Sequence, residues 1–327
     1  MSNYNERDEQ LAFVAEKYYL EDHKQTDIAE MIGLTRSAVS RMLKEAREKG
    51  IVEILINHPF RFDHALEEEL QKTFNLKHVS VVDLREKADY DEIRKQLGKA
   101  GAKLMANLIQ PGNKIGVAWG TTVQSTIEAF ENNPVKETKV VQLVGVLGST
   151  RHSYSAQTLV ERLAQKIEAD GVYLYTPFIV ENESTASSLL ADPLVKQAIS
   201  LSRECDLALL GIGSTKKNYC SLYLGEHISL EELKKIQDAS AVGDVCALYF
   251  DIEGQTAPVG FHQRRIGISE EGLREIPLRL GVAGDIRKAD AILGAICGGF
   301  INSLVTDNRT AAKVLELAQT HCSQKDG

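Results

Sequence analysis

From Pro59 onward, short apolar runs alternate with longer stretches of helical period, and that alternation leaves few folds open to the chain. The runs His78 to Val82, Lys114 to Ala118, Lys139 to Val144 and Val172 to Thr176 have strand length and composition. Asp206 to Gly211, Val245 to Asp251, Leu278 to Ala283 and Ser303 to Thr306 continue the series. Between them Glu92 to Ile109, Thr121 to Phe130, Tyr154 to Glu168 and Arg287 to Ile296 repeat their apolar residues at helical spacing, as does Asp63 to Phe74 just before the first strand. Strands joined through helices must run parallel, and a parallel sheet is covered on both faces. The expectation is an α/β, Rossmann-like domain with a mainly parallel sheet. There is no internal repeat and no low-complexity tract.

The first fifty residues follow a different rhythm. Leu11, Val14, Ala15, Tyr18 and Tyr19 mark one buried helix face. Thr26 is placed to cap a second, short helix carrying Ile28, Ala29, Met31 and Ile32. Gly33 ends it, because glycine accepts the left-handed backbone that a sharp turn needs. A third helix runs from Thr35 to about Lys49, with Ala38, Val39, Met42, Leu43 and Ala46 as its apolar stripe. Ile51 to Ile56 reads as a β-rich wing. Two helices about a glycine turn are the plan of a helix-turn-helix, whose second helix enters the major groove. The chain therefore divides into an all-α, winged helix-turn-helix domain over 1–57 and an α/β domain over 58–327.

A net charge of -8 argues against nucleic acid as a whole-chain property, but DNA binding needs only one basic face. Between Thr35 and Gly50 the bases Arg36, Arg41, Lys44, Arg47 and Lys49 face only the acids Glu45 and Glu48. Thr35, Arg36, Ser37, Ser40, Arg41 and Lys44 lie opposite the apolar stripe. Arg36 and Arg41 suit the edge of a guanine, whereas Lys44 and Arg47 suit phosphates. A solvated polar face on a dimerising domain is the plainer alternative. The five cysteines are scattered, with no C-x-x-C pair, so neither a disulfide framework nor a zinc site is expected. No apolar run approaches membrane-spanning length, and the polar start carries no secretory signal, which places the protein in the cytoplasm.

In open α/β sheets, ligands bind beyond the carboxyl ends of the strands. Gly120-Thr121-Thr122 follows a strand and opens a helix, so its backbone N–H groups and hydroxyls suit an anion. Gly145-Val-Leu-Gly148-Ser149-Thr150-Arg151 and Gly211-Ile-Gly213-Ser214-Thr215-Lys216 are two further glycine-bearing loops after strands. Each alone is consistent with a simple turn. Asp244 and Asp251 can accept sugar hydroxyls or merely turn the chain. Gln157 and Tyr154, at the start of a helix, are further polyol candidates. Asp251, Glu253 and His262 are the acid–base groups that a sugar-phosphate isomerase or deaminase would need, though no spacing forces them together.

The stretch from Gln25 to Leu43, with Gly116-Val-Ala-Trp-Gly-Thr-Thr122 and Ala241-Val-Gly-Asp-Val245, resembles the SorC/DeoR-type sugar-binding transcriptional regulators of bacteria. So does Gly281-Val-Ala-Gly-Asp-Ile-Arg-Lys-Ala-Asp-Ala-Ile-Leu293 followed by Gly298-Gly-Phe-Ile-Asn302. The resemblance covers nearly the whole chain and lies nearest the branch of the deoxyribonucleoside regulator. It implies a large domain related to sugar-phosphate isomerases but used for sensing, and not an enzyme. It also implies operator DNA and a phosphorylated sugar as partners, a homodimer or homotetramer, and no cofactor or metal. Lys288 matches the lysine that meets the ligand phosphate in the family. The chain departs from that pattern twice. Val144 stands where the deoxyribose-phosphate-responsive branch has a lysine, so no Schiff base can form there. Asp285 stands where the family commonly has glycine, and a carboxylate beside a phosphate is repulsive unless it turns away as a helix cap. The effector residues expected on these grounds are Gly120, Thr121, Thr122, Gly145, Gly148, Gln157, Gly213, Asp244, Asp251 and Lys288.

Overall fold

The computed structural model describes residues 6–52, 61–84, 88–146 and 155–322, and the chain divides into two compact units, 1–59 and 60–327. The first unit holds α1 (Glu6–Tyr19), α2 (Gln25–Ile32) and α3 (Arg36–Glu48). Its core is Leu11, Val14 and Ala15 of α1 packed on Ile28, Ala29, Val39, Met42, Leu43 and Ala46. Gly33 closes α2 at φ 68° with nothing within 4 Å of where a Cβ would lie, so the left-handed backbone, not a close approach, requires glycine here. Thr26 does not cap α2. The helix starts one residue earlier, after Lys24, and places Thr26 inside its first turn. The expected wing falls on residues 53–56, outside the described residues.

The second unit begins with α4 (His64–Phe74), β1 (His78–Val82), α5 (Tyr90–Leu108), β2 (Lys114–Val117) and α6 (Thr121–Ala129). It continues with β3 (Lys139–Gln142), α7 (Ala156–Ile167), β4 (Asp170–Val172), α8 (Glu183–Ala191), α9 (Pro193–Arg203), β5 (Leu207–Gly211) and β6 (Gly213–Ser214). Then come α10 (Ser221–Leu224), α11 (Leu230–Asp238), β7 (Gly243–Val245), β8 (Leu248–Phe250), α12 (Glu270–Glu275), β9 (Leu278–Val282), α13 (Ala289–Cys297), β10 (Ser303–Asp307) and α14 (Asn308–Cys322). Short polar residues mark many helix starts: Asp63, Asp89, Ser155, Asn182, Asp192 and Ser269 each accept a backbone N–H of the first turn. At α11 Ser229 and Glu232 form a reciprocal capping box. No described helix is long and apolar enough to cross a membrane.

Among the described residues seven strands form one sheet in the order β1-β10-β9-β5-β2-β3-β4, every pair parallel. Its inner strands are buried on both faces, from Leu207 to Leu210 in β5 and throughout β10. This is the pattern that a sheet sandwiched between helices imposes. A second, antiparallel sheet orders β6-β7-β8.

Two strand expectations are corrected. Val245 to Asp251 is not one strand but a hairpin, in which Val245 pairs with Leu248 and only Cys246 and Ala247 turn the chain. Both turn residues have positive φ, 53° and 57°. The geometry is that of a two-residue hairpin turn that normally takes Asn-Gly. Without glycine, each left-handed residue costs about 1–2 kcal/mol. Val172 to Thr176 ends its ladder at Val172 because the buried Gln142 side chain takes over. That amide donates to the Val144 carbonyl at 2.7 Å and accepts the Leu174 N–H at 3.3 Å.

The α5–α6 contact aims the start of α6. A Cβ on Gly98 of α5 would lie 2.6 Å from the backbone of Ser125 in α6. Gly98→Ala is therefore expected to cost about 1–3 kcal/mol by overpacking, which thermal unfolding should read as a lower Tm; an unchanged Tm would contradict this packing.

Candidate effector pocket and DNA-reading helix

The candidate DNA interface is the outer face of α3. Val39, Met42, Leu43 and Ala46 are buried, while Thr35, Arg36, Ser37, Ser40, Arg41 and Lys44 are all exposed. Thr35 is the N-cap: its hydroxyl oxygen accepts the Ala38 N–H at 3.2 Å and lies 3.0 Å from Ser37 Oγ. Its side chain thus fixes the start of the helix. Arg7 lies 2.7 Å from Glu45, and its hydrogen bond holds that carboxyl below the usual range, aided by Lys49. Lys49 also reaches Asp8 at 2.8 Å, and Lys44 pairs loosely with Glu48 at 3.6 Å. Arg36, Arg41 and Arg47 have no ion pair among the described residues, so their charge is available to a polyanion. Arg41 makes only a long contact, 3.4 Å, to the Ser37 carbonyl.

In the α/β unit, the strand order reverses between β2 and β5. From β2 the chain passes to β3 and β4 on one side; from β5 the next strands of the sheet, β9 and β10, lie on the other. The connections leave the two adjacent carboxyl ends in opposite directions, and such a switch point opens a crevice. A cavity of about 460 Å³ lies there, lined by Trp119, Gly120, Thr121 and Thr122 after β2 and by Gly211, Ile212 and Gly213 after β5. Tyr90, Asn218, Tyr219, Ser221, Leu224, Asp244, Arg287 and Lys288 complete it.

One wall suits an anion. Gly120 precedes α6 at φ 139°, which a side chain rarely adopts, and the first-turn N–H groups of α6 have no side-chain cap. Thr121 Oγ1 lies 3.4 Å from the Tyr90 hydroxyl. Lys288 Nζ donates to the Ile212 carbonyl at 3.1 Å, which draws the ammonium to the floor of the crevice. The same cavity carries an acceptor. Asp244 is buried on β7, directly across from Gly213 of β6, and a Cβ at Gly213 would lie 1.9 Å from Asp244 Oδ1. Glycine there is a requirement of close approach. Burial pushes the Asp244 carboxyl up to about 6, against the Ala247 N–H, Lys288 and Arg265, which favour the ionised form.

The expected site residues divide accordingly. Gly120, Thr121, Thr122, Gly213, Asp244 and Lys288 converge on this one cavity. Thr122 does so with its proton already used, since Oγ1 donates to the Val282 carbonyl at 2.7 Å and pins α6 to β9. Gly145, Gln157 and Asp251 do not line it. Gly145 is needed instead where the chain passes Pro177, whose carbonyl oxygen is 2.5 Å from the Cβ it lacks. Asp251 accepts the N–H groups of Glu253 and Gln255 and serves a turn. Gln157 sits half-buried in the first turn of α7. Gly148, Ser149, Thr150, Arg151 and Tyr154 lie outside the described residues. Nor do Asp251, Glu253 and His262 line the cavity. His262 Nε2 accepts the Tyr249 N–H at 2.9 Å, and burial, with Arg265 nearby, pulls that imidazole down to about 4.

Asp285 turns away from the anion wall. At φ 87° it caps the short helical turn 286–288, accepting the Arg287 N–H at 3.0 Å, and its carboxylate pairs with the Arg287 guanidinium. Burial raises that carboxyl, but the Arg287 hydrogen bonds outweigh it and hold it below the usual range. Arg287 in turn lies 4.3 Å over the ring of Tyr219. Arg287, Tyr90 and the Asn218-Tyr219-Ser221 segment are wall residues that sequence reasoning missed. Only Arg287, next to Lys288 in a matched motif, carried a usable signal.

Known proteins bear the same two parts. Residues 58–316 match a family model described as a sugar-binding domain, and residues 19–61 match a Crp-like helix-turn-helix domain. The deoxyribonucleoside regulator of Bacillus subtilis is 32% identical over 93% of this chain and 96% of its own length. The sorbitol operon regulator of Klebsiella pneumoniae is 29% identical over 93% and 96%. The crystal structure of that full-length regulator superposes with a TM-score of 0.71 at 28% identity, covering 95% of this chain and all of the other. The chain, with its helix-turn-helix and parallel-sheet domain, belongs to the SorC/DeoR family of sugar-binding transcriptional regulators.

Proposed function

We propose that this regulator controls a carbohydrate or nucleoside catabolic operon, reading operator DNA with α3 and sensing a phosphorylated sugar in the β2–β5 crevice. The observation that carries the reading is that the α6 N-terminus, Lys288 and Asp244 all line one cavity. The first pair suits a phosphate, since backbone N–H groups and the helix dipole favour negative charge. Asp244 suits the hydroxyls at the other end, because an ionised carboxylate only accepts. Val144 is buried in the core and cannot form an imine, so covalent capture at that position is excluded. Arg36 and Arg41 read base edges; Lys44 and Arg47 hold phosphates. Two or four chains place reader helices on half-sites about one helical turn, or a multiple of it, apart. The effector shifts operator affinity, and DNA must then shift effector affinity by the same factor.

The test is a calorimetric screen of sugar phosphates against the full chain, paired with operator binding at several salt concentrations. Arg41→Ala is expected to weaken specific operator binding by about 1–3 kcal/mol and leave effector affinity intact. Thr121→Val should do the reverse; equal loss of both activities in either variant would refute the division.

Effector affinity should also depend on pH with a definite sign. An ionised Asp244 accepts hydroxyls more strongly than the neutral acid, so affinity rises as pH passes upward through about 6, and binding there releases a proton. The second ionisation of a phosphate monoester, at about 6, acts in the same direction. Asp244→Asn should remove one of the two steps and leave the other. A profile unaltered by that change would exclude Asp244 as the acceptor.

A further inference from the structure

Arg265 is the most deeply buried cation of the α/β unit outside the pocket wall, with a relative exposure of 7%. Among the described residues it has no ion pair. Burying an unpaired guanidinium is unfavourable unless its donors are satisfied and its charge is used. Its Nε donates to the Cys246 carbonyl at 2.7 Å, and another nitrogen donates to the Ile268 carbonyl. Cys246 is the first residue of the left-handed, glycine-free turn between β7 and β8. The second, Ala247, gives its N–H to Asp244 Oδ2 at 3.0 Å. The one peptide between Cys246 and Ala247 is therefore gripped at both ends, its carbonyl by Arg265 and its N–H by Asp244.

We propose that Arg265 is a positioning residue for effector recognition: by holding the Cys246–Ala247 turn it sets the orientation and ionisation of Asp244, a residue of the cavity lining. The proposal rests on the reading of Asp244 as the hydroxyl acceptor. Its logic is mechanical and electrostatic together. Two adjacent residues without glycine do not hold positive φ unless the surroundings over-determine them. Without the Cys246 contact the turn relaxes, the Ala247 N–H moves, and Asp244 loses the donor that fixes Oδ2. The charge acts in the same direction. Asp244 is faced by Lys288 and Arg265 as cations and by Cys220, Cys246 and Tyr249 as neutral groups whose thiols and phenol burial pushes up. Burial pulls Arg265 down only to about 10, so it stays charged at neutral pH. Removing it leaves Lys288 as the one cation acting on Asp244 among the described residues and weakens the hold on the Ala247 N–H that also favours the carboxylate.

The experiment needs no ligand. The full chain is labelled with ¹³C at the aspartate side-chain carboxyls, and the Asp244 signal is assigned by its loss in Asp244→Asn. Its midpoint in the wild type is expected near 6. In Arg265→Met it should rise by roughly one pH unit, since a nearby opposite charge is worth about that much. Arg265→Lys should return it to within a few tenths. Hydrogen exchange of the Ala247 amide should accelerate about tenfold in Arg265→Met, as expected when a protecting bond is lost. An Arg265→Met chain that folds with both the midpoint and the exchange unchanged overturns the proposal. Should that variant not fold, Arg265→Lys carries the test, because a lysine keeps the charge without the fork of two donors. There the exchange should still rise severalfold at an unmoved midpoint, and unchanged exchange is the refuting result. A wild type that binds no member of a sugar-phosphate panel would sink the functional reading instead, with these measurements unaffected.

Discussion

The α/β unit depends on one topological constraint: the chain leaves the carboxyl ends of β2 and β5, which are hydrogen-bonded neighbours, toward opposite sides of the sheet. Among the described residues, the start of α6 and the segment after β5 border the cavity at this switch point. Close approaches then furnish that space. Gly120 permits the turn into α6, and Gly213 lets Asp244 of the small sheet sit against the strand end. Lys288 is drawn in by the Ile212 carbonyl. The cation, the helix terminus and the carboxylate are thus placed by packing before any ligand arrives. That preorganisation reduces the ordering cost of binding.

Much of this was legible in the sequence, and the reasons for the failures are physical. The inner strands β2, β5, β9 and β10 announce themselves because a parallel strand buried on both faces must be apolar nearly throughout. The hairpin of β7 and β8 did not. Its turn is Cys246-Ala247, with none of the Asn or Gly that normally mark a two-residue turn, because side-chain grips from Asp244 and Arg265 replace the missing backbone preference. Likewise Val172 to Thr176 has strand composition, but a single buried glutamine, Gln142, intercepts its pairing. Gly120 and Gly213 were recognisable as loop glycines after strands, and so was Gly145, which serves packing against Pro177 instead. Composition cannot separate a glycine that admits a ligand from one that admits another strand. Tyr90 and Tyr219 reach the cavity from elements distant in sequence, and no local pattern marks them.

The two units treat charge in opposite ways. On α3 the acids are engaged elsewhere, Glu45 by Arg7 and Lys49 and Glu48 by Lys44, and among the described residues Arg36, Arg41 and Arg47 have no ion pair. A chain with a net charge of -8 can present a basic face because its first helix supplies the countercharge. In the crevice the charges are few and buried, so each one counts for more. Burial raises the Asp244 carboxyl to about 6 although the Ala247 N–H, Lys288 and Arg265 all favour its ionised form.

Asp285 shows how such a site tolerates a substitution that looks hostile to it. A carboxylate where glycine is usual should repel a phosphate and strain the backbone, and at φ 87° the strain is present. Yet the side chain is turned onto the Arg287 N–H and guanidinium, and its own N–H is taken by Asp307 at 2.9 Å. The negative charge is spent within two residues of where it arises. Arg287, which lines the cavity, is thereby tied to the turn that presents Lys288, and Tyr219 stacks beneath it. The turn is therefore braced by the residue that departs from glycine. The added carboxylate has its own cation in Arg287, with Lys288 acting on it more weakly.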